Sequence, residues 1–493
     1  MPAARRDLAY GAALAAAALL AVALHAGALG HGFVGDDHYL VEHNPALQAP
    51  GALGRALRPG AWGAAADAWN REVNARFYRP TTIAWFIADV RLFGAGPRGL
   101  HLMSLLAHAG CAVLAGLVLT RLCRSRTVGA AGALLFAAHA VHTEAVSMIT
   151  YRSTLAEGLF VLAALACEGA ARDAAARRAR WRWRAGGIAA AVLALGAKET
   201  AVTLPALVAL LYLAPGGTPD AGGAARWRGA LRAALPYGAL AAATLALRAA
   251  VAPAAGWTFF AGHGAGTVAL SMLGVLGLYA RLLVFPLRFT PFYDWSLVVV
   301  QAPLAPEAVA GFALALVLAL GPLVLWRRHP RAALLLAWLT LTLLPVMNLV
   351  PFTVAAGERL LYVPAVGWVG LCGLGLAALL RHGRGRAVLA AVLLVAALGL
   401  HGAQAVRRTA DWRDDETLLT AMVRDYPESV AGHIHLARHL ARSAPVRPAA
   451  ACAQYRAALD LAPDLARVRD EARAHGCEGG PASAPAGASA RPR

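Results

Sequence analysis

Charge is scarce in this sequence. Only 15% of its 493 residues are Asp, Glu, Lys or Arg, against about 25% in an average soluble chain. That shortfall excludes a soluble cytosolic enzyme and a disordered regulator, both of which carry more charge. Lysine is nearly absent: of 46 basic residues Lys198 is the one Lys, and the others are Arg. Cysteine is scarce too, at six. No pair has metal-ligand spacing, which excludes a zinc scaffold and a disulfide-built miniprotein. Cys111, Cys123, Cys167 and Cys372 lie in or beside apolar runs. Cys452 and Cys477 lie in the tail and can pair if it meets an oxidising compartment.

What fills the chain is apolar, with 59% hydrophobic residues and a mean hydropathy of +0.55. Apolar runs recur from residue 9 to residue 405, and about 20 such residues cross a bilayer. The fold class implied is all-α, a polytopic membrane protein. A net charge of +19 would suggest nucleic acid in a soluble chain, but its distribution does not. The N-terminus and the loops 121–126, 172–184, 216–232, 327–331 and 381–386 hold 20 Arg against Asp7, Asp173 and Asp220. Short arginine-rich loops set topology by the positive-inside rule and favour anionic headgroups, so the partner is the lipid bilayer and not nucleic acid.

An uncleaved first span over 8–29 puts the N-terminus inside. Residues 30–98 form a large first outside loop with Asp67, Glu72, Trp62, Trp69 and Tyr78, and an interfacial helix over 81–93. Further spans fall near 99–121, 127–149, 153–171, 185–197, 200–215, 231–252, 306–326, 332–352, 360–380 and 387–405, which makes about 11 transmembrane helices. The apolar stretch 265–286 conflicts in parity. Every arginine loop is inside only if 253–305 enters and leaves on the outer side, so 265–286 is expected to be re-entrant or incomplete. The membrane domain is then 1–405, and an odd count puts the segment 406–477 outside. Residues 431–463 make a 33-residue unit, close to the 34-residue helix–turn–helix period of tetratricopeptide repeats. Leu436, Ala437 and Leu440 fall on one helix; Tyr455, Ala457, Ala458 and Leu459 fall on the next. Residues 412–427 read as the second helix of a preceding half-repeat, while Pro445 and Pro448 widen the turn. An ordinary helical hairpin is the alternative. The tail 478–493, rich in Gly, Ala, Pro and Ser, is expected to be disordered. The arginine and alanine bias suggests a GC-rich bacterial genome, hence a bacterial inner membrane.

Polar residues placed against spans carry the functional signal, because ionisable groups at membrane depth are costly and face cavities with a task. The outer span ends hold Asp36-Asp37-His38-Tyr39, Arg79-Pro80, His139, His142-Thr143-Glu144, Arg152, Lys198-Glu199, Asp294 and Glu358-Arg359-Leu360-Leu361-Tyr362. Both signs converge there, whereas the inner loops are almost purely basic. Asp36-Asp37, just past the first span, suits a general base or a metal ligand at the bilayer surface, or a solvated loop. His139, His142 and Glu144 have HxxHxE spacing, which is not the HExxH of zinc hydrolases. A sole Lys where Arg is the default suggests a compact, mobile ammonium; a snorkelling lysine is the alternative.

These residues lie in stretches that together resemble the transmembrane and tetratricopeptide-repeat containing (TMTC-like) family, and behind it the GT-C glycosyltransferases that include protein O-mannosyltransferases. The stretches are FVGDDHYLVEHNPAL (33–47), YRPTTIAWFIADVRLFGAGPRGLHLMSLLAHA (78–109), AAHAVHTEAVSMITYRSTLAEGLF (137–160), AKETAVTLPALV (197–208), PLRFTPFYDWS (286–296), GERLLYVPAVG (357–367) and the repeat at 431–463, in family order. The chain departs from the family in carrying about one full repeat, and in reading Tyr293-Asp294 where Asp-Tyr is usual. The resemblance implies a GT-C-type fold and a membrane glycosyltransferase of inverting mechanism. It would move a sugar, mannose or another hexose, from a polyprenyl-phosphate donor to an acceptor hydroxyl on protein or glycan, with a partner docking on the TPR-like domain. It implies Asp36 as catalytic base with Asp37 orienting. Arg359, Lys198 and Arg152 would bind the donor phosphate, with Glu199, His142, Glu144, Arg79 and Tyr362 in the substrate site. Arg359 is expected to be held by its neighbour Glu358 or by an interspan ion pair. No cofactor is assigned, and a divalent metal is not favoured. The alternatives are a transporter or flippase of lipid-linked saccharide, against which no repeat between the two halves is visible, and a membrane-anchored scaffold, for which so many spans are excessive.

Overall fold

The computed structural model describes residues 3–58, 78–215, 223–251, 258–300, 302, 304–443 and 445–477. Asp67, Glu72, Trp62, Trp69 and the tail 478–493 lie outside the described residues. Among the described residues there is no strand. The helices of eight residues or more are α1 (Ala3–His25), α2 (Pro80–Phe93), α3 (Pro97–Cys123), α4 (Arg126–Ala138), α5 (Arg152–Asp173), α6 (Arg177–Ala197), α7 (Leu204–Leu213), α8 (Gly223–Val251), α9 (Ala265–Val284), α10 (Pro306–Leu325), α11 (Pro330–Leu343), α12 (Pro364–Leu379), α13 (Arg384–Asp411), α14 (Asp415–Asp425), α15 (Val430–Arg442), α16 (Pro448–Leu461) and α17 (Ala466–Ala474).

Local chemistry sets many of these boundaries. Pro opens α2, α3, α10, α11, α12 and α16 within their first two positions, where its missing N–H costs nothing. The turn between α3 and α4 uses Arg124 in the left-handed region (φ +49°), then Ser125, whose side chain accepts the Val128 N–H. Among the described residues seven helical stretches, containing α1, α3, α5, α8, α9, α10 and α13, are long and apolar enough to cross a membrane, and four shorter apolar ones contain α4, α7, α11 and α12. The 13 residues of α4 rise about 20 Å, short of the ~30 Å hydrocarbon core. Residues 139–150 continue from it as short turns and are all buried, the circumstance in which irregular backbone is tolerated at that depth.

Within the stretch 265–286, expected to be re-entrant or incomplete, residues 265–284 form one unbroken 20-residue helix, α9. Nothing interrupts it before Pro286, and it packs on α10 so closely that a Cβ on Gly311 would stand 1.7 Å from Leu273 O. Its flanks bond to loops at one end of the bundle: Phe259 N–H donates to Phe352 O (2.9 Å), and the Arg281 guanidinium donates to Tyr426 Oη (2.8 Å). The expected span 185–197 is the second half of α6, whose first half carries Arg177, Arg178, Arg180, Arg182 and Arg184. The whole helix is too polar to count among the seven.

The bundle has two chemically distinct ends. At one, Asp7 pairs with Arg126 (2.5 Å), Arg121 and Arg124 pair with Asp173, and Arg226 donates to Leu213 O (2.5 Å). The arginine-rich loops and the N-terminus therefore gather there. The opposite end carries the acid–base residues and the C-terminal helices. In the latter, α15 and α16 form the hairpin expected over 431–463, with α14 before it and α17 after. Pro448 starts α16 rather than widening the turn. Ala437, Tyr455 and Leu459 are its core, and Cys452 is disulfide-bonded to Cys477. Trp412 and Leu418 pack on Val34 and Met148 and dock this unit on the membrane helices.

Candidate active site

The loop after α1 reaches Gly35 at φ +53°, a left-handed turn that a side chain would strain. It turns two adjacent carboxylates in different directions. Asp37 points inward and is buried; it accepts the N–H groups of Thr150 (2.7 Å), Ile149 (3.2 Å) and Val34 (3.5 Å). Burial pushes its carboxyl up to about 7 against the pull of these amides. Asp37 therefore clips the first loop to the 139–151 turns. Asp36 is only half-buried. Burial raises its carboxyl above the usual range, opposed by Tyr39 and by the Arg359 charge.

Arg359 sits in a 3₁₀ turn, Glu358–Leu361, between α11 and α12. Its expected neighbour Glu358 does not hold it. The partner is Glu144, whose buried carboxylate accepts the Arg359 backbone N–H (2.6 Å) on one oxygen and the guanidinium on the other. The guanidinium also lies over the Tyr151 ring, 4.1 Å from its centroid. Glu358 turns away to accept Tyr293 Oη–H (2.8 Å) and Thr290 N–H (3.1 Å). Burial and then the Glu144 charge push it up to about 8.

Lys198 donates to Thr154 Oγ1 (2.9 Å) and lies 3.7 Å from Glu157 Oε2. Lys198 and Arg359, 161 positions apart in sequence, line one narrow cleft together with Glu157, Thr200 and Tyr362. Tyr362 also bonds His108 Nδ1 (2.8 Å). His142 meets it edge-on in a buried cluster of rings with His108 and Phe136, and among the described residues neither of its nitrogens has a hydrogen-bond partner.

The remaining expected site residues lie elsewhere. Glu199 takes a bidentate pair from Arg79 (2.9 and 3.3 Å) and a third contact from Arg248 (2.5 Å). Arg248 was not singled out from the sequence, although an arginine inside the apolar run 231–252 was the available signal. Arg152 is not in the cleft. It is fully buried against Asp89, Ser104 Oγ (3.2 Å) and Leu100 O (2.5 Å), with Trp85 and Phe86 over it. Its role is to join α5 to α2, because a cation so enclosed needs every donor satisfied. His139, His142 and Glu144 do not gather as metal ligands. Among the described residues the group close enough to hold an ion is His38, Glu42 and His43.

The arrangement offers a carboxylate of raised basicity, two fixed cations and apolar helix grooves. One groove is lined by Leu135, Trp368, Leu379 and Leu394 and bordered by His139 and His401.

No protein-family model matches the chain. The chain resembles the TMTC protein O-mannosyltransferases. Human Protein O-mannosyl-transferase TMTC4 is 28% identical over 462 residues, covering 83% of this chain and 61% of that protein. Drosophila melanogaster Protein O-mannosyl-transferase Tmtc2 is 39% identical over 105 residues, covering 20% of this chain and 11% of that protein. The chain thus spans less than two thirds of these relatives' length. Among solved structures, the Archaeoglobus fulgidus oligosaccharyltransferase in complex with Zn and sulfate has a TM-score of 0.47 and 14% identity, covering 86% of this chain and 57% of that one.

Proposed function

We propose that this chain, which resembles a TMTC protein O-mannosyltransferase along 83% of its length, is an inverting membrane glycosyltransferase. It moves a hexose, mannose first among them, from a polyprenyl-phosphate donor to an acceptor hydroxyl, Ser or Thr of a protein. The observation that carries this reading is the placement of Arg359 and Lys198 on one cleft, with Arg359 close enough to Asp36 to act on its charge.

The acceptor oxygen forms its bond to the anomeric carbon while its proton passes to the Asp36 carboxylate. Burial makes that carboxylate a stronger base than an exposed Asp. The bond from anomeric carbon to phosphate oxygen breaks, and the polyprenyl phosphate leaves with the electron pair. Attack opposite the leaving group inverts the centre. Negative charge grows on the phosphate, where Arg359 and Lys198 stabilise it without reorganising. The groove along α4, α12 and α13 offers apolar surface for the prenyl chain.

The arginine end is assigned to the cytoplasm and the site end, with the C-terminal helices, to the periplasm of a bacterial inner membrane. The Cys452–Cys477 disulfide supports that side, since such bonds persist in oxidising compartments. The α15–α16 hairpin is the surface on which a protein partner docks. The test uses purified protein in lipid nanodiscs with radiolabelled polyprenyl-phosphate mannose and a Ser/Thr-rich peptide. Label bound covalently to the peptide supports the reading; label that stays on the lipid, or is released as free sugar, overturns it.

A further inference from the structure

The loop carrying Asp36 is gripped from outside the membrane helices. Asp415, the first residue of α14, accepts the Gly35 N–H on Oδ1 (2.8 Å) and meets His38 Nε2 with Oδ2 (3.0 Å). One carboxylate thus holds the chain on both sides of Asp36-Asp37. A backbone bond reinforces it, Gly32 N–H donating to Arg413 O (3.0 Å). His38 Nδ1 meets Glu42 Oε2 (2.6 Å), so the ring bridges two carboxylates and donates from both nitrogens, as an imidazolium does. The cap of α14 is left to Asp414, which accepts the Thr417 N–H (2.8 Å) and frees Asp415 for the loop. Gly35 needs this hold: it is in the left-handed region, and a Cβ there would stand 3.3 Å from Met148 Cε. Asp37 is fixed from the opposite side by the Ile149 and Thr150 amides, which leaves Asp36 as the carboxylate whose direction the two anchors set.

We infer that Asp415 is a positioning residue: through Gly35 and His38 the C-terminal domain aims the Asp36 carboxylate, so that domain is part of the transferase site as well as a docking surface. The inference rests on the reading of Asp36 as the base. A base displaced by about 1 Å loses on the order of a hundredfold in rate, so the effect belongs in kcat and not in donor affinity.

The test uses the full chain in nanodiscs and the variants Asp415→Ala, Asp415→Asn and Asp415→Glu. Hydrogen exchange of the peptide covering residues 33–38 reads the grip without any reaction. Asp415→Ala is expected to speed that exchange and to lower kcat roughly ten- to a hundredfold, with the KM for donor within about twofold. Asp415→Asn, whose amide oxygen still accepts from Gly35, is expected to fall between Ala and wild type. Unchanged exchange in Asp415→Ala overturns the grip. Faster exchange with unchanged kcat, or a fall in melting temperature with normal turnover of the folded fraction, overturns the positioning role. A wild-type chain that forms no glycosidic bond overturns the glycosyltransferase reading and leaves the exchange result to judge the grip.

Discussion

Arg359 is paired with Glu144, 215 positions away, and not with the glutamate beside it. Glu144 is fully buried and uses both oxygens on this one residue, whose side chain keeps 13% of its surface exposed. A fixed, partly open guanidinium is what a phosphate ligand requires. Arg359→Ala is expected to cut transfer roughly ten- to a hundredfold, since a charged hydrogen bond is worth about 1.5–3 kcal/mol. Arg359→Lys is expected to fall short of wild type because the bidentate fork is lost. Initial rates and donor binding, measured beside melting temperature, check this. A lower melting temperature with unchanged donor affinity and turnover contradicts the phosphate role.

Arg152 and Asp89 form the corresponding structural pair. Removing one partner strands a buried charge, at about 3–5 kcal/mol, whereas replacing both by apolar groups is near neutral. Arg152→Met or Asp89→Leu alone is therefore expected to lower the melting temperature sharply, and the double variant to recover most of the loss. Turnover per folded molecule stays at wild type throughout. A double variant no more stable than the singles contradicts the assignment.

Docking of the C-terminal helices is expected to depend on pH in a definite direction. Bonds to Asp415 first, and then to Glu42, raise His38 from 6.5 to about 9 against burial. Its contribution is fully present below about 6.5 and is lost as pH rises through about 9. Partial burial raises Asp415, but His38 and the Gly35 amide outweigh it and pull it below its usual 3.8. Its contribution is present above 3.8 and is lost as pH falls through the lower folded value. His43 stacks on His38 from the same turn. Arg413, Asp414, Glu416, Arg424 and His439 face it across the cleft. Trp412, fully buried beside Val34, reports docking. Its fluorescence is expected to hold between pH 5 and 8 and to shift to the red near 9 in the wild type but not in His38→Gln. A shift at the same pH in both contradicts the assignment.

Much of this was legible in the sequence, and the residues show why the remainder was not. Asp36, Lys198 and Arg359 stand out because a charge beside an apolar span is costly and therefore informative. The repeat-like hairpin was legible because its apolar periodicity is local. Partners were not, because pairing is tertiary. In a 3₁₀ turn adjacent side chains diverge by about 120°, so Glu358 cannot face the same way as Arg359, and of the two expected holds the interspan ion pair, with Glu144, is the one found. Arg152 looked like a ligand by the same span-end logic that found Arg359. Only the packing of α2, which brings Asp89, Trp85 and Phe86 against it, shows it to be enclosed. For α9, loop charge parity spoke to the side on which 253–305 enters and leaves, but not to the single unbroken helix over Ala265–Val284.

The most direct test of the account is the rate of hexose transfer from a polyprenyl-phosphate donor to a hydroxyl peptide by Asp36→Asn, measured against wild type in the same nanodiscs. The substitution keeps size and hydrogen bonding and removes the basic carboxylate. General-base contributions run to about 10²–10⁴-fold, so the variant is expected to lose transfer by that factor with melting temperature and donor binding preserved. Transfer at the wild-type rate by a folded, donor-binding Asp36→Asn protein contradicts it.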